Sequence, residues 1–174
     1  ENLNHIELFL DGDIFLSPTP SMRIHIFMNG VSVHSNAGET MIQRIGVIGA
    51  GQMGNGIAQV AACAGYDVVM IDIKDEYVDK GLGTIQFSLG KLVSKERMTQ
   101  SDADAALGRI TTGTDRSMCA ECDLVVEAVP EILSLKQEIF TELDGLCKPE
   151  TILASNTSSI SITTIAGSTN RPDK

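Results

Sequence analysis

The chain has 174 residues, 43% of them hydrophobic, a mean hydropathy of +0.08 and a formal net charge of −10. That length supports one sizeable core with a tail rather than a two-domain enzyme, and the acidic balance argues against nucleic acid or an anionic membrane as the main partner. No apolar run is long enough to span a bilayer and no basic-then-apolar opening resembles a signal peptide, so a cytoplasmic protein without membrane attachment is expected.

Residues 1–40 show no clear period. Two apolar pieces, IELFLDGDIFL and IHIFMNGVSV, are broken by Ser17-Pro18-Thr19-Pro20 and Ser35-Asn36-Ala37-Gly38, and they can pair as strands. The organised pattern starts just after Met41. Residues 1–40 are therefore expected to be upstream sequence read through in frame, with Met41 the natural start; the alternative is the tail of a fused domain.

The next stretch, residues 44–72, reads as strand, glycine turn, helix, strand. Ile45, Val47 and Ile48 suit a strand buried on both faces of a parallel sheet. Gly49, Gly51 and Gly54 then give G-x-G-x-x-G: a tight turn, a place where backbone can approach a pyrophosphate, and a close helix–strand contact. A helix is predicted from near Met53, with Ile57, Val60, Ala61 and Ala64 at helical spacing and Gly65 ending it. Its free N–H groups would face the phosphates. A second strand over 68–71 delivers Asp72, twenty-one residues after Gly51. An acid there accepts bonds from ribose hydroxyls and repels a 2′-phosphate, so the pattern points to NAD rather than NADP.

A long helix follows, its apolar stripe made of Val78, Leu82, Ile85, Leu89 and Leu92. Ser88 and Lys95, seven apart, fall on nearly one face, which spacing alone reads as a solvated surface. Ser101, with Asp104 three later, is expected to cap a short helix that Gly108 stops, before a third strand over 110–112. Residues 123–129, DLVVEAV, are a fourth strand ended by Pro130. Ser134 is expected to cap the next helix, with Leu135, Ile139, Leu143 and Leu146 buried and Lys148-Pro149 closing it. A fifth strand spans 151–154. The cluster Ser155-Asn156-Thr157-Ser158-Ser159 then sits at the strand's carboxyl end, where open parallel sheets bind ligands. These residues are either turn and cap formers, with Ser159 or Ser161 starting a helix through Ile165, or groups that orient a substrate oxygen. Among the four cysteines, Cys119 and Cys122 form a C-x-x-C with no second pair or histidine at ligand spacing. A reduced pair near a strand start is expected, with zinc or redox chemistry as the alternative.

IGVIGAGQMGNGIAQVAACAGYDVVMID, DLVVEAVPE with Lys136 following, ILASNTSSISITTIA and RPDK together resemble the N-terminal NAD-binding domain of 3-hydroxyacyl-CoA dehydrogenases, the bacterial 3-hydroxybutyryl-CoA type in particular. The resemblance covers residues 41–174. It implies a Rossmann-like, doubly wound α/β sheet in which the loop from Gly49 through Gly51, Gln52 and Met53 to Gly54, together with Asp72, binds NAD. Glu131 and Lys136 would lie along the cofactor site. Ser88 and Lys95 would contact coenzyme A, and Ser158 would hydrogen-bond the substrate's 3-oxygen. The implied reaction is reversible hydride transfer between C3 of a 3-hydroxyacyl-CoA and NAD.

Family members continue past a segment like RPDK into a strand with a catalytic histidine, a partner glutamate and a helical domain through which they form homodimers. The three histidines here are His5, His25 and His34, all before Met41. The expectation is thus a cofactor-binding fragment, incomplete at its C-terminal end and lacking the neutral-pH base. A non-catalytic NAD-binding protein and a β-hydroxyacid dehydrogenase acting on free acids are the alternatives.

Overall fold

The computed structural model describes His5–Leu8, Ile26–Ser32 and residues 42–174, and the chain divides into two units, 1–41 and 42–174. In the first unit β1 (His5–Leu8) pairs antiparallel with β2 (Ile26–Ser32), with a register shift between His5 and Glu7. These strands come from the two apolar pieces of the opening. The histidines at 25 and 34 lie outside the described residues.

The second unit alternates strands and helices: β3 (Arg44–Ile48), α1 (Gln52–Cys63), β4 (Asp67–Ile71), α2 (Asp75–Ser94), α3 (Gln100–Gly108) and β5 (Ile110–Gly113). A 3-10 turn at Arg116–Cys119 leads to β6 (Leu124–Glu127), α4 (Leu133–Leu146), β7 (Ile152–Ser155) and α5 (Ile162–Ala166). All five strands are parallel in the order β5-β4-β3-β6-β7. From β3 the chain first moves one way through β4 and β5 and then returns to place β6 on the other side. The sheet therefore has its switch point between β3 and β6, where the carboxyl-end loops part and leave a crevice.

Strand alternation divides the core. Ile48, Val69, Ile71 and Val125 pack with Ile139 and Leu143 of α4 and with Cys119, Cys122 and Cys147. The intervening residues, such as Val47 and Met70, are equally buried and face the layer in which α1, α2 and α3 touch one another. In α2 the anticipated stripe is sound at Val78, Ile85 and Leu89, while Leu82 and Leu92 are half-buried. Cys119 and Cys122 sit against β3, where a Cβ on Gly46 would come within 2.8 Å of the Cys119 Sγ. Hydrogen bonding to Cys122, together with burial, raises the Cys119 thiol pKa, and burial holds Cys147 at about 11. The raised thiols of Cys119 and Cys147 are packing groups rather than nucleophiles at neutral pH, while the hydrogen bond with Cys119 lowers the Cys122 thiol.

Three local expectations change. Thr99, not Ser101, caps α3: its Oγ1 accepts the Asp102 N–H at 3.1 Å and donates to the Asp102 carboxylate at 2.7 Å. The same S/T-x-x-D spacing occurs twice here, and the earlier copy wins. Ser134 lies inside α4, because a turn closed by Ile132 N–H to the Pro130 carbonyl (2.7 Å) carries the chain straight into the helix. Finally, the buried face of α4 is rotated: Lys136 and Phe140 join Ile139 and Leu143 inside, and Leu135 and Leu146 are half-buried.

The carboxyl end of α4 is tied to the final residues by Asp144. Its carboxylate accepts the Asn170 backbone N–H at 2.8 Å and the Arg171 Nε–H at 2.6 Å, while Arg171 also donates to the Asp144 carbonyl at 2.7 Å. The Asn170 N–H and Arg171 hold the Asp144 carboxyl below the usual carboxylate range. A depressed folded-state value means stability that is present above the unfolded value and lost as pH falls through the folded one. Asp144→Asn should therefore lower the urea midpoint at neutral pH, and the gap to the parent protein should close as the solution is taken down through the carboxylate range. A gap that stayed constant with pH would show that the charge on Asp144 contributes nothing.

Candidate dinucleotide site

β3 ends at Ile48, and the chain must turn into α1 within three residues. Gly49 does this at φ +106°, a conformation that favours glycine, with its N–H on the Ile71 carbonyl at 2.7 Å. A Cβ there would also lie 2.7 Å from the Ala128 carbonyl oxygen. Gly54 has a different reason to be bare: a Cβ on it would fall 1.6 Å from the Gly49 carbonyl oxygen, so the first turn of α1 rests directly on the end of β3. Asn55 fastens the turn further, donating from Nδ2 to the Gly51 carbonyl at 2.8 Å.

Gly51 has no such reason within the protein. Its backbone is ordinary (φ −63°, ψ −172°) and a Cβ on it would meet nothing within 4 Å. It is the N-cap of α1, no side chain caps that end, and the first turn carries no acid. The mouth of α1 is thus an uncapped set of N–H donors facing open space, the arrangement that receives phosphate. That space is a cleft of about 1200 Å³ lined by Gly49, Gly51, Gln52, Met53 and Asp72 on one side and by Val129 and Pro130 on the other.

Asp72 stands directly after β4, with both carboxylate oxygens engaged: Oδ2 accepts the Ala50 N–H and Oδ1 the Ile73 N–H, each at 2.7 Å. These bonds fix the carboxylate across the mouth of the glycine turn and leave lone pairs open to the cleft. Ile73 and Tyr77, both exposed, extend this wall. The donor set and the acid suit a dinucleotide with an unphosphorylated ribose.

The other predicted residues lie deeper or farther away. Lys136 is 1% exposed and Glu127, at the end of β6, is fully buried. The Lys136 Nζ donates to the Glu127 carboxylate at 2.7 and 2.9 Å, which also accepts the Val129 N–H at 2.7 Å and the Ser155 hydroxyl at 2.6 Å. Glu131 accepts the Thr157 hydroxyl at 2.9 Å and the Ser158 N–H at 3.2 Å, with Lys136 Nζ 3.8 Å away. Burial alone would raise the Glu131 pKa, but Thr157, Ser158 and Lys136 together bring it below its usual value. Within the Ser155–Ser159 cluster Thr157 is a turn former, its Oγ1 accepting the Ile160 N–H at 3.0 Å; Ser161 stands at the N-cap position of α5 without a side-chain bond, and Ser158 is exposed but not on the cleft wall. Neither Glu131 nor Lys136 lines the cleft itself. Ser88 is half-buried on α2 and Lys95 is exposed just past its end, neither of them on the cleft wall.

Glu127 is the residue that motif reading passed over, and Ser155 entered it only as one member of the 155–159 cluster. A signal was present, since a glutamate inside the apolar run DLVVEAV needs a buried partner, and Lys136 lies nine residues on.

Residues 44–174 match the family described as 3-hydroxyacyl-CoA dehydrogenase, NAD binding domain. The chain belongs to that family. It is 54% identical over 129 residues to a probable 3-hydroxybutyryl-CoA dehydrogenase of Deinococcus radiodurans, covering 74% of this chain and 46% of that one. It is 48% identical over 134 residues to the 3-hydroxybutyryl-CoA dehydrogenase of Bradyrhizobium diazoefficiens, covering 77% and 46%. The crystal structure of (S)-3-hydroxybutyryl-CoA dehydrogenase from Ralstonia eutropha superposes with a TM-score of 0.75 at 46% identity, over 76% of this chain and 47% of that one. The chain thus spans about half the length of the curated relatives it matches.

The two inner glycines make opposite forecasts. Gly54→Ala forces helix and strand apart and should cost about 3 kcal/mol or more in chemical unfolding. Gly51→Ala fits the existing backbone and should stay within about 1 kcal/mol of the parent, while its methyl group intrudes where the phosphates would lie and abolishes detectable NAD binding by calorimetry. Full NAD affinity in a well-folded Gly51→Ala protein would place the dinucleotide elsewhere.

Proposed function

We propose that residues 42–174 are the NAD-binding half of an enzyme that interconverts (3S)-3-hydroxyacyl-CoA and 3-oxoacyl-CoA. The observation that carries this is the uncapped mouth of α1 at Gly51, bare and open, with the anchored Asp72 carboxylate beside it. NAD supplies the hydride acceptor in the oxidation, or in its reduced form the donor in acetoacetyl-CoA reduction. The N–H groups of the first turn of α1 hold the diphosphate, Asp72 accepts from the adenosine ribose, and Glu131 and Lys136 support the nicotinamide end. Ser158, held through its N–H by Glu131, turns its hydroxyl to the substrate's 3-oxygen and orients it for proton transfer.

Residues 42–174 contain no histidine, so no imidazole among them can take the 3-hydroxyl proton at neutral pH. A general base contributes about 10² to 10⁴ in rate. The 174-residue chain should therefore bind NADH in a calorimeter yet oxidise it with acetoacetyl-CoA at least about 100-fold more slowly than its longer relatives. Turnover at their rate would mean that another group serves as the base.

The coenzyme A portion of the substrate is assigned to α2, with Ser88 and Lys95 as its contacts. Phe87, 66% exposed with Lys91 Nζ 4.3 Å above its ring, offers an apolar and cationic surface beside them. Lys95→Ala should weaken acetoacetyl-CoA binding about fivefold to tenfold, as for one lost charge-assisted bond, without changing NAD affinity. An unchanged affinity for the thioester would favour a dehydrogenase of free β-hydroxyacids. The same reading includes a homodimer for the longer protein and residence in the cytoplasm, the latter supported by the free thiols of all four cysteines.

A further inference from the structure

Taking that NAD reading as its basis, we propose that Glu127 is a positioning residue: through Ser155 and Lys136 it sets the conformation of the 156–159 loop and so the seat of the nicotinamide. Four donor contacts converge on its buried carboxylate, from Lys136 (twice), the Val129 N–H and the Ser155 hydroxyl. The contacts of Ser155 and Lys136 run behind the wall, to the loop after β7 and to α4, and the Val129 contact alone reaches the cleft. Val129 and Pro130 line it. Ser155 Oγ, having donated to Glu127, accepts the Thr157 N–H at 3.3 Å, and Thr157 donates to Glu131, which holds the Ser158 N–H. Lys136, 3.8 Å from Glu131, closes the circuit back to Glu127.

The chemistry explains why a carboxylate stands at this point. A carboxylate, with two acceptor oxygens and no donor of its own, satisfies an ammonium, an amide and a hydroxyl together in a space closed to water. With the Ser155 proton committed to Glu127, the hydroxyl oxygen presents its lone pairs to the Thr157 N–H, and this fixes the direction in which the loop leaves β7. The glycine turn and Asp72 share none of these bonds. Glu127 should accordingly govern one end of the dinucleotide and not the other.

ADP-ribose carries the adenosine and diphosphate portions of NAD without the nicotinamide, so the pair of ligands separates the two ends. With the full 174-residue chain, Glu127→Gln should lower NADH affinity about tenfold, the effect of one charge-assisted bond, and erase the fluorescence enhancement of the bound nicotinamide, while ADP-ribose affinity stays within about twofold. Glu127→Gln leaves Lys136 poorly compensated and can unfold the protein. Ser155→Ala removes only the hydroxyl link and should give the same selective loss, with a circular-dichroism melt confirming the fold. Equal losses for both ligands, or no loss for either, would overturn the positioning role. A parent chain that binds neither NADH nor ADP-ribose would instead overturn the NAD reading.

Discussion

One steric contact organises the second unit: the bare Cα of Gly54 on the carbonyl oxygen of Gly49, where an added methyl would lie 1.6 Å from that oxygen. It presses the first turn of α1 onto the end of the central strand. Because β3 has β4 on one side and β6 on the other, a helix mouth held there opens at the one place where neighbouring loops diverge. Asp72 reinforces the arrangement by bonding to Ala50 and Ile73 at once. The anion-receiving end of a helix and an acid meant for sugar hydroxyls thus become parts of a single rigid edge.

On the other side of β3, order comes from charge rather than close approach. A glutamate and a lysine, both desolvated, face each other behind the second wall of the cleft. Stability alone does not call for such a pair, since apolar replacements of buried ion pairs are often neutral or better. Direction distinguishes it from an apolar plug: hydrogen bonds assign one orientation to the Ser155 hydroxyl and one path to the backbone after β7, whereas methyl groups would permit several.

Much of this was legible in the residues. β-branched runs marked β3, β4 and β6 because strands covered on both faces need no polar alternation, and the glycine spacing announced the turn because backbone geometry excludes side chains at Gly49 and Gly54. Gly65 also read correctly as a helix boundary, and of the two starts offered for α5, Ser159 and Ser161, the second holds the N-cap position. Helix starts were less legible where two candidates competed, as with Thr99 and Ser101, or where a turn made a cap unnecessary, as before α4. The inward face of α4 was less legible, because the stripe of Leu135, Ile139, Leu143 and Leu146 gave no sign that Lys136 is buried against Glu127. Ser88 and Lys95 gained meaning from family likeness rather than spacing, because one polar helix face resembles any other until its ligand is considered.

The three sulfurs beneath Gly46 and α4 have a practical corollary. Cys119 and Cys122 are fully covered and Cys147 nearly so, while Cys63 is partly open. A thiol-reactive dye will reach Cys63 in the native ensemble, but the other three only through excursions that part α4 from the sheet. The molecule therefore contains its own clock for such excursions, readable by counting modified sulfurs against time, with no probe introduced into its interior.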